Sequence, residues 1–479
     1  MVRRSRILTP IEISTQSSRE IIAGITTFLT MAYIIFVNPL IIGEGFELAL
    51  KNALGVENLS PDQIALVNSI KIGIATATII AASFGSILMA LYARLPFAMA
   101  PGMGENSFIG FSVIPAFTVI LARSGFSGDT AALTALYAAI FAVFMDGIIF
   151  LFAAWSGIRE RVLRSISPNL AYGISAGIGL FITFIGLSLA GFVQPGVGTP
   201  VSFNVKAFTD PRSLIAFIGL IIASILYIKR FSPAFLLTIS ILTIIGVIIG
   251  VVQIPEKIFE LPSFTTSIVP VFPTAFKAYV ELILLAFPIT FSLFLVEFFD
   301  GIGTIIGLAT KAGLIDERGR PVNIDRALYT DATATVVGAL AGTTTTVIYV
   351  ESASGIEAGG RTGLTSLVTG VLFLLFLPIA PLAVSIPGFA TAPVLILVGL
   401  MFLNVLRKID LEDLTEAIPS FIAVVAIPLT YSIATGIGLA FITYTLLKIL
   451  SGRFRDIKPA TMVVTLVFIL YFMMLPMIH

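Results

Sequence analysis

Apolar runs of about 20 residues recur along the whole chain, parted by short charged or Gly/Pro-bearing links. A run of that length crosses the hydrocarbon of a bilayer as one helix. Hydrocarbon offers backbone N–H and C=O groups no partner, so a crossing segment must satisfy them internally, as a helix does. With 57% of residues hydrophobic and 11% charged, the sequence predicts an all-α polytopic membrane protein. A net charge of +1 gives nucleic acid no electrostatic hold. There is no cysteine, and the one histidine is the terminal His479. Disulfides, thiolate chemistry and histidine catalysis are excluded, and zinc or haem ligation has almost no donors. No cofactor or metal is expected. Residues 1–14 are basic and polar without an apolar core, unlike a signal peptide.

Crossings are expected at about 24–43, 70–93, 95–122, 130–154, 169–192, 213–228 and 232–253. A second set follows at about 279–308, 327–342, 343–363, 364–385 and 390–406. Residues 418–450 are 33 nearly uncharged positions, roughly 50 Å as one helix. That is too long for one crossing. Pro428, Ser432 and Gly436 offer a break, which splits the stretch at about 418–432 and 434–450 and makes 14 transmembrane segments. This count gathers on one side the basic N-terminus, Arg94, the loop with Arg159, Arg161 and Arg164, and Lys229–Arg230. The 311–326 loop, Arg407–Lys408 and the 448–458 stretch join them. Positive charge marks that side as cytoplasmic, so the N-terminus is expected in the cytoplasm. Segment 461–478 is either a further crossing or a helix in the interface.

Two segments do not read as plain helices. In 95–122, Pro96, Pro101, Gly102 and Gly104 interrupt the run just before Glu105 and Asn106. In 342–363, a threonine run and Val347, Ile348, Tyr349 and Val350 suit an extended segment, because β-branched residues lose χ1 freedom in helices. Small residues from Ser352 to Gly355 then open a helix. Irregular backbone at membrane depth survives only where protein or a wet cavity covers it. Each broken segment is third in a set of seven, so the halves read as 7+7 repeats, and an odd number of spans inverts one against the other. Paired interruptions of this kind point to a transporter's binding site.

Glu351 sits inside the second broken segment, and a carboxylate at that depth is a candidate functional group. The alternative is a water-exposed loop between two ordinary spans. Glu297 and Asp300 are three residues apart and share a helix face with Thr304 one turn on. Two acids so close in a low dielectric repel, which suits a group that changes protonation. Alternatively the helix ends near Glu297, at Gly301 and Gly303, and both acids are solvated. Asn106 offers a donor and an acceptor to a flat heterocycle, or caps the helix after the break. Asp146 and Asp331 rank below these, as inter-helix hydrogen-bonding groups. Arg361 is expected to anchor a span boundary or to pair with Glu357. Phe28, Tyr33, Phe299 and Tyr349 flank the polar positions and are candidates for stacking.

The motifs TTFLTMAYIIFVNP (26–39), LPFAMAPGMGENSF (95–108), FFDGIGTIIGLATKAGL (298–314) and YVESASGIEAGGRTGLT (349–365) carry a family likeness. Over about 15–450 the chain resembles the adenine/guanine/hypoxanthine permease (AzgA-like) branch of the nucleobase–ascorbate, or xanthine/uracil permease, superfamily. The resemblance implies a core domain from spans 1–4 and 8–11, a gate domain from spans 5–7 and 12–14, and short strands in spans 3 and 10. It implies a secondary active purine:proton symporter in which the core moves against the gate in an elevator-like step. By motif, Glu351 and Asp300 match the acids of spans ten and eight, and Asn106 matches the polar residue of span three. Gly104, Ser107, Tyr349, Ser352 and Thr30 join them as substrate-site candidates, with Asp300, Glu297 and Thr304 for proton coupling. Glu105 stands where this branch more often has an apolar residue. Thr304 stands where uracil-type relatives have a histidine of the proton network, a place Glu297 would then fill.

The expected boundaries are a cytoplasmic N-terminus at 1–19, core halves at 20–158 and 270–386, gate halves at 159–258 and 387–452, and a C-terminal basic loop and helix at 453–479. Expected partners are a purine base, a proton, the lipid bilayer of the plasma membrane and a second copy in a homodimer. Rival expectations are a xanthine/uracil or sulfate-type anion permease of the same fold, a passive channel, or an intramembrane enzyme. Three acids disfavour an anion site. An enzyme lacks a metal-binding or nucleophile set, and Glu297 and Asp300 on one helix face are not two acids on facing helices.

Overall fold

The structure, a computed structural model, describes residues 10–156, 167–196, 199–253, 258–316 and 321–478, without the side chains at 10–16, 156, 299, 300, 302 and 474–478. The basic loop at Arg159, Arg161 and Arg164 and the side chains of Phe299 and Asp300 therefore lie outside the described residues.

Helix ends follow local chemistry. The first crossing is split into α1 (Pro10–Met31) and α2 (Ile34–Leu54) by a turn at Ala32–Tyr33. α3 (Pro61–Leu88) opens with a reciprocal Ser60/Gln63 cap and a proline at its first position. The third crossing begins as strand β1 (Met99–Pro101) and continues as α4 (Met103–Phe108), a π-helical stretch Ile109–Val113 and α5 (Ile114–Arg123). α6 (Gly128–Ser156), α7 (Pro168–Leu189), a small hairpin of β2 (Val193–Gln194) and β3 (Ser202–Phe203), α8 (Pro211–Ile228) and α9 (Ala234–Ile248) complete the first half.

The second half starts with a short α10 (Phe272–Glu281) and the long α11 (Ile283–Ala312). α11 runs through Gly301 and Gly303 and stops only at Gly313, whose φ of 68° forms a left-handed cap. Glu297 and Asp300 are thus inside a helix, not at a solvated end. α12 (Ile324–Ala341), β4 (Thr346–Ile348), α13 (Ser352–Glu357) and α14 (Gly363–Leu375) follow. α14 bends by 66° into a 3₁₀ segment, Leu377–Ser385. α15 (Gly388–Leu403), α16 (Leu414–Thr430), α17 (Ile433–Leu450) and α18 (Pro459–Ile478) close the chain. The break expected near Ser432 falls at Tyr431–Ser432, where Tyr431 takes a φ of 55° and Ser432 caps α17. Among the described residues, nine helices are long and apolar enough to cross a membrane, or up to ten if the bent pair is one span. Ala234–Ile248, Leu414–Thr430 and Pro459–Met473 are apolar but shorter.

The helices form two groups, each drawing on both halves of the sequence. α7 packs on α15 and α16, α16 on α17, and α8 on α9 and α15. The other group sets α1 along α14, α2 along α3, and α6 against α5, α10, α11 and α12. The groups meet along α4–α7, α1–α9 and α11–α17, and α18 packs on α17 and α11.

The two broken crossings meet in an antiparallel two-stranded sheet, pairing Met99 with Ile348, Ala100 with Val347 and Pro101 with Thr346. Tyr349 N–H donates to Ala98 O at 3.0 Å and Gly102 N–H to Thr345 O at 2.9 Å. Every residue of both strands is buried. Neighbouring hydroxyls serve further backbone groups. Ser352 Oγ accepts from Ala98 N–H and Ser86 Oγ from Met99 N–H, both at 2.9 Å. Ser366 Oγ donates to Phe97 O at 2.6 Å. Extended backbone is thereby paired and packed inside the protein, as a crossing segment requires.

Candidate functional site

A cavity of about 600 Å³ opens beside this sheet, between the two helix groups. That is an ordinary volume for a small-molecule site. One wall is Tyr33, Gly102, Met103, Thr304 and the 347–351 stretch; the facing wall is Tyr172, Ser175, Val398, Met401 and Phe402. Lys311 and Lys408 also line it, the first paired with Glu357 at 2.6 Å and the second over the Tyr172 ring.

Glu351 is on this wall yet only 9% exposed. Tyr33 O–H donates to its Oε1 at 2.8 Å, a bond that fixes the orientation of the carboxyl group. Tyr33 is placed by the turn between α1 and α2, and its ring meets Phe235 of α9 edge-on at 5.3 Å. A loop carboxylate bathed in water is excluded by this burial. Tyr349 also lines the cavity, its O–H donating to Pro101 O at 2.5 Å.

Of the other expected residues, Thr304 lines the cavity. Gly104 touches a second, water-sized cavity of about 10 Å³, with Glu105, Ile174, Ser175, Ile178, Val296 and Phe402. A Cβ at Gly104 would stand 2.7 Å from Ile178 Cγ2, so glycine lets α4 approach α7. Asn106 is tied to the strands: its amide N–H donates to Pro101 O at 3.4 Å and its carbonyl accepts from Thr344 O–H. Ser107 bonds back to Met103 O at 2.9 Å. Thr30 meets Ser354 at 2.9 Å, behind Glu351. Ser352 supports β1, as above. None of these last four lines the large cavity. The backbone of Asp300 lies one turn before Thr304 on α11.

Glu297 lies away from the large cavity. It is fully buried and accepts from Thr335 O–H at 2.6 Å. Asp146 of α6, also fully buried, presents its carboxyl to that of Glu297, with Glu105 and Asp331 nearby. Asp331 closes over the backbone of α11, 2.7 Å from where a Cβ on Gly301 would be. Arg361 does not pair with Glu357; it donates to Ile356 O and Gly360 O, while its backbone N–H reaches Glu20 at 3.0 Å. Phe28 packs on Phe373 and Phe376 rather than facing the cavity.

The wall from α7 and α15 and the hydroxyl of Thr335 had no signal in the charged motifs. Thr335 is four residues after Asp331 on one helix face, which was the available clue.

Comparison with known proteins agrees with this architecture. Residues 18–439 match the Xan_ur_permease profile, described as "Permease family". The guanine/hypoxanthine permease PbuG of Bacillus subtilis (strain 168) is 37% identical over 97% of this chain and 98% of its own. The adenine permease AdeP of Escherichia coli (strain K12) is 36% identical over 96% and 93%. The transmembrane domain of the cyanobacterial bicarbonate transporter BicA shares the fold, with a TM-score of 0.56 at 17% identity over 88% of this chain and 97% of that one. With its helical, strand-crossed architecture and this coverage, the chain belongs to the Xan_ur_permease family: it is a multi-pass membrane transporter, not an enzyme.

Proposed function

We propose that the protein carries a purine nucleobase across the plasma membrane in symport with a proton. The observation that carries this reading is the buried Glu351 carboxylate, fixed by Tyr33 on the wall of a cavity with aromatic side chains on both sides. An ionised carboxyl accepts only, so it suits the ring N–H or exocyclic amine of a base. Asp300 accepts from a second donor edge, and Asn106 holds in place the strands whose backbone sets the acceptor edge. Gly104, Ser107, Ser352 and Thr30 shape and brace that site; Tyr349, with Tyr33, Tyr172 and Phe402, encloses the ring. Glu297, Asp300 and Thr304 serve proton coupling. The guanine/hypoxanthine and adenine specificities named for the relatives support a purine over the sulfate-type alternative.

The group holding α1–α6 and α10–α14 acts as the core, and α7–α9 with α15–α17 as the gate. Substrate moves with the core in an elevator-like step. With the N-terminus cytoplasmic, Lys311 and Lys408 lie toward the cytoplasm, so the cavity is inward-facing. A homodimer would hold the gates still.

Competition against uptake of labelled adenine in cells tests the substrate. Excess adenine, guanine or hypoxanthine should abolish uptake and uracil should not, because a site built to hydrogen-bond one ring leaves buried groups unpaired with another. A protonophore should collapse accumulation. Competition by uracil alone would overturn the purine assignment, and accumulation sustained by sodium alone would overturn proton coupling.

A further inference from the structure

We propose that Asp146 and Glu297 hold the coupling proton between them, behind the cavity wall, and that Thr335 links their state to the strand that carries the substrate site. This rests on the proton-coupled purine reading and extends it to α6, which takes no part in the cavity.

Asp146 is fully buried on α6, and neither of its carboxyl oxygens has a hydrogen-bond donor; Glu297 Oε2 has none either. The two carboxyls face each other within hydrogen-bonding reach across the α6–α11 contact. Two carboxyl groups in contact away from water are held together by a shared proton, and repel without one. The charged groups facing them are acids: Glu105 from α4 and Asp331 from α12. Tyr279 of α10 faces Asp146 but is engaged with Thr290 at 3.1 Å. The site is therefore built to take up positive charge, and a proton is what its size admits.

Both ends of a coupling path are visible. Glu105 lines the water-sized cavity together with Ser175 and Phe402, and both of those also line the large cavity. A proton entering with substrate thus passes through Glu105 to the pair. On the other side, Thr335 O–H donates to Glu297 Oε1 at 2.6 Å while its oxygen accepts Thr346 N–H at 3.1 Å. Thr346 opens β4, the strand that leads to Tyr349 and Glu351. Loss of the proton draws Glu297 toward its remaining donor, Thr335, and so changes the hold on the strand.

The test is purified protein in proteoliposomes with labelled adenine, comparing wild type with Asp146→Asn and Asp146→Glu. In Asp146→Asn a fixed amide N–H replaces the shared proton, which locks the pair in its loaded state. Uptake driven by an inward proton gradient should fall at least about tenfold, while adenine counterflow stays within about twofold. Its adenine Kd should also stop varying with pH. Asp146→Glu keeps a titratable group, so gradient-driven uptake should persist with a shifted pH midpoint. Gradient-driven uptake of normal size in Asp146→Asn overturns the proposal, as does loss of counterflow together with uptake. If Asp146→Asn does not reach the membrane, the Asp146→Glu midpoint decides: a shift supports the pair and an unchanged midpoint overturns it. A wild type that carries adenine without protons overturns the pair and leaves the purine reading standing. Proton movement driven by a different base, lost in Asp146→Asn, does the reverse.

Discussion

Glu351 owes its behaviour to one neighbour. A carboxylate that is 9% exposed needs a donor to stay ionised and oriented, and Tyr33 O–H supplies it at 2.8 Å. Tyr33→Phe keeps the ring on Phe235 and removes only the hydroxyl. A hydrogen bond to a charged group contributes about 1.5–3 kcal/mol, so purine binding should weaken by roughly tenfold or more, with the protein still delivered to the membrane. Equilibrium binding of labelled purine to membranes reads this out, and an unchanged Kd would show that the phenol does not position the acid. The sequence marks Glu351 because a charge in an apolar run stands out. It marks Thr335 only by its place four residues after Asp331, as one hydroxyl among many in threonine-rich spans, and does not show that Asn106 turns to the strands.

At the scale of elements, composition and punctuation made most helices legible. Pro96, Pro101 and Gly102 and the threonine run at 343–346 predict both breaks, because prolines remove donors and β-branched residues favour extended backbone. What could not be read was how the breaks meet: the register of Met99 on Ile348 depends on contacts about 250 residues apart in sequence. The start of α16 gives a sharper energetic case. Asp413 caps it by accepting from Thr415 N–H at 3.0 Å and also takes Arg453 at 2.8 Å. Its hydrogen bonds from Thr415, helped by Arg453 and Lys448, pull its carboxyl down to about 2. A depressed value means the stabilising charge is complete above the ordinary carboxylate range and is lost only as pH falls toward 2. Asp413→Ala should therefore cost about 1 kcal/mol of cap energy. The loss in thermal stability should be equal at every pH from about 5 to 8. A deficit that vanished within that window would mean the cap is not ionic.

Over the whole molecule, the two helix groups enclose the cavity and also touch each other away from it. Ser112, in the π-helical part of the third crossing, donates to Tyr431 O at the break between α16 and α17. Phe181 and Phe184 each meet the Tyr431 ring at 5.3 Å, and Phe111 meets it at 6.4 Å. If the groups move past each other, this contact must open. The chain has no cysteine, so Ser112→Cys with Tyr431→Cys can be bridged by a bifunctional thiol reagent. Bridging should stop purine uptake, and cleaving the bridge should restore it; full transport with the bridge in place would rule out relative motion there. Purine binding by purified Glu351→Gln protein tests most directly whether the buried acid holds the base. Affinity should fall about 10- to 100-fold, from removal of a charged acceptor, in a protein as stable as the wild type; an unaltered Kd would show that Glu351 does not bind the base.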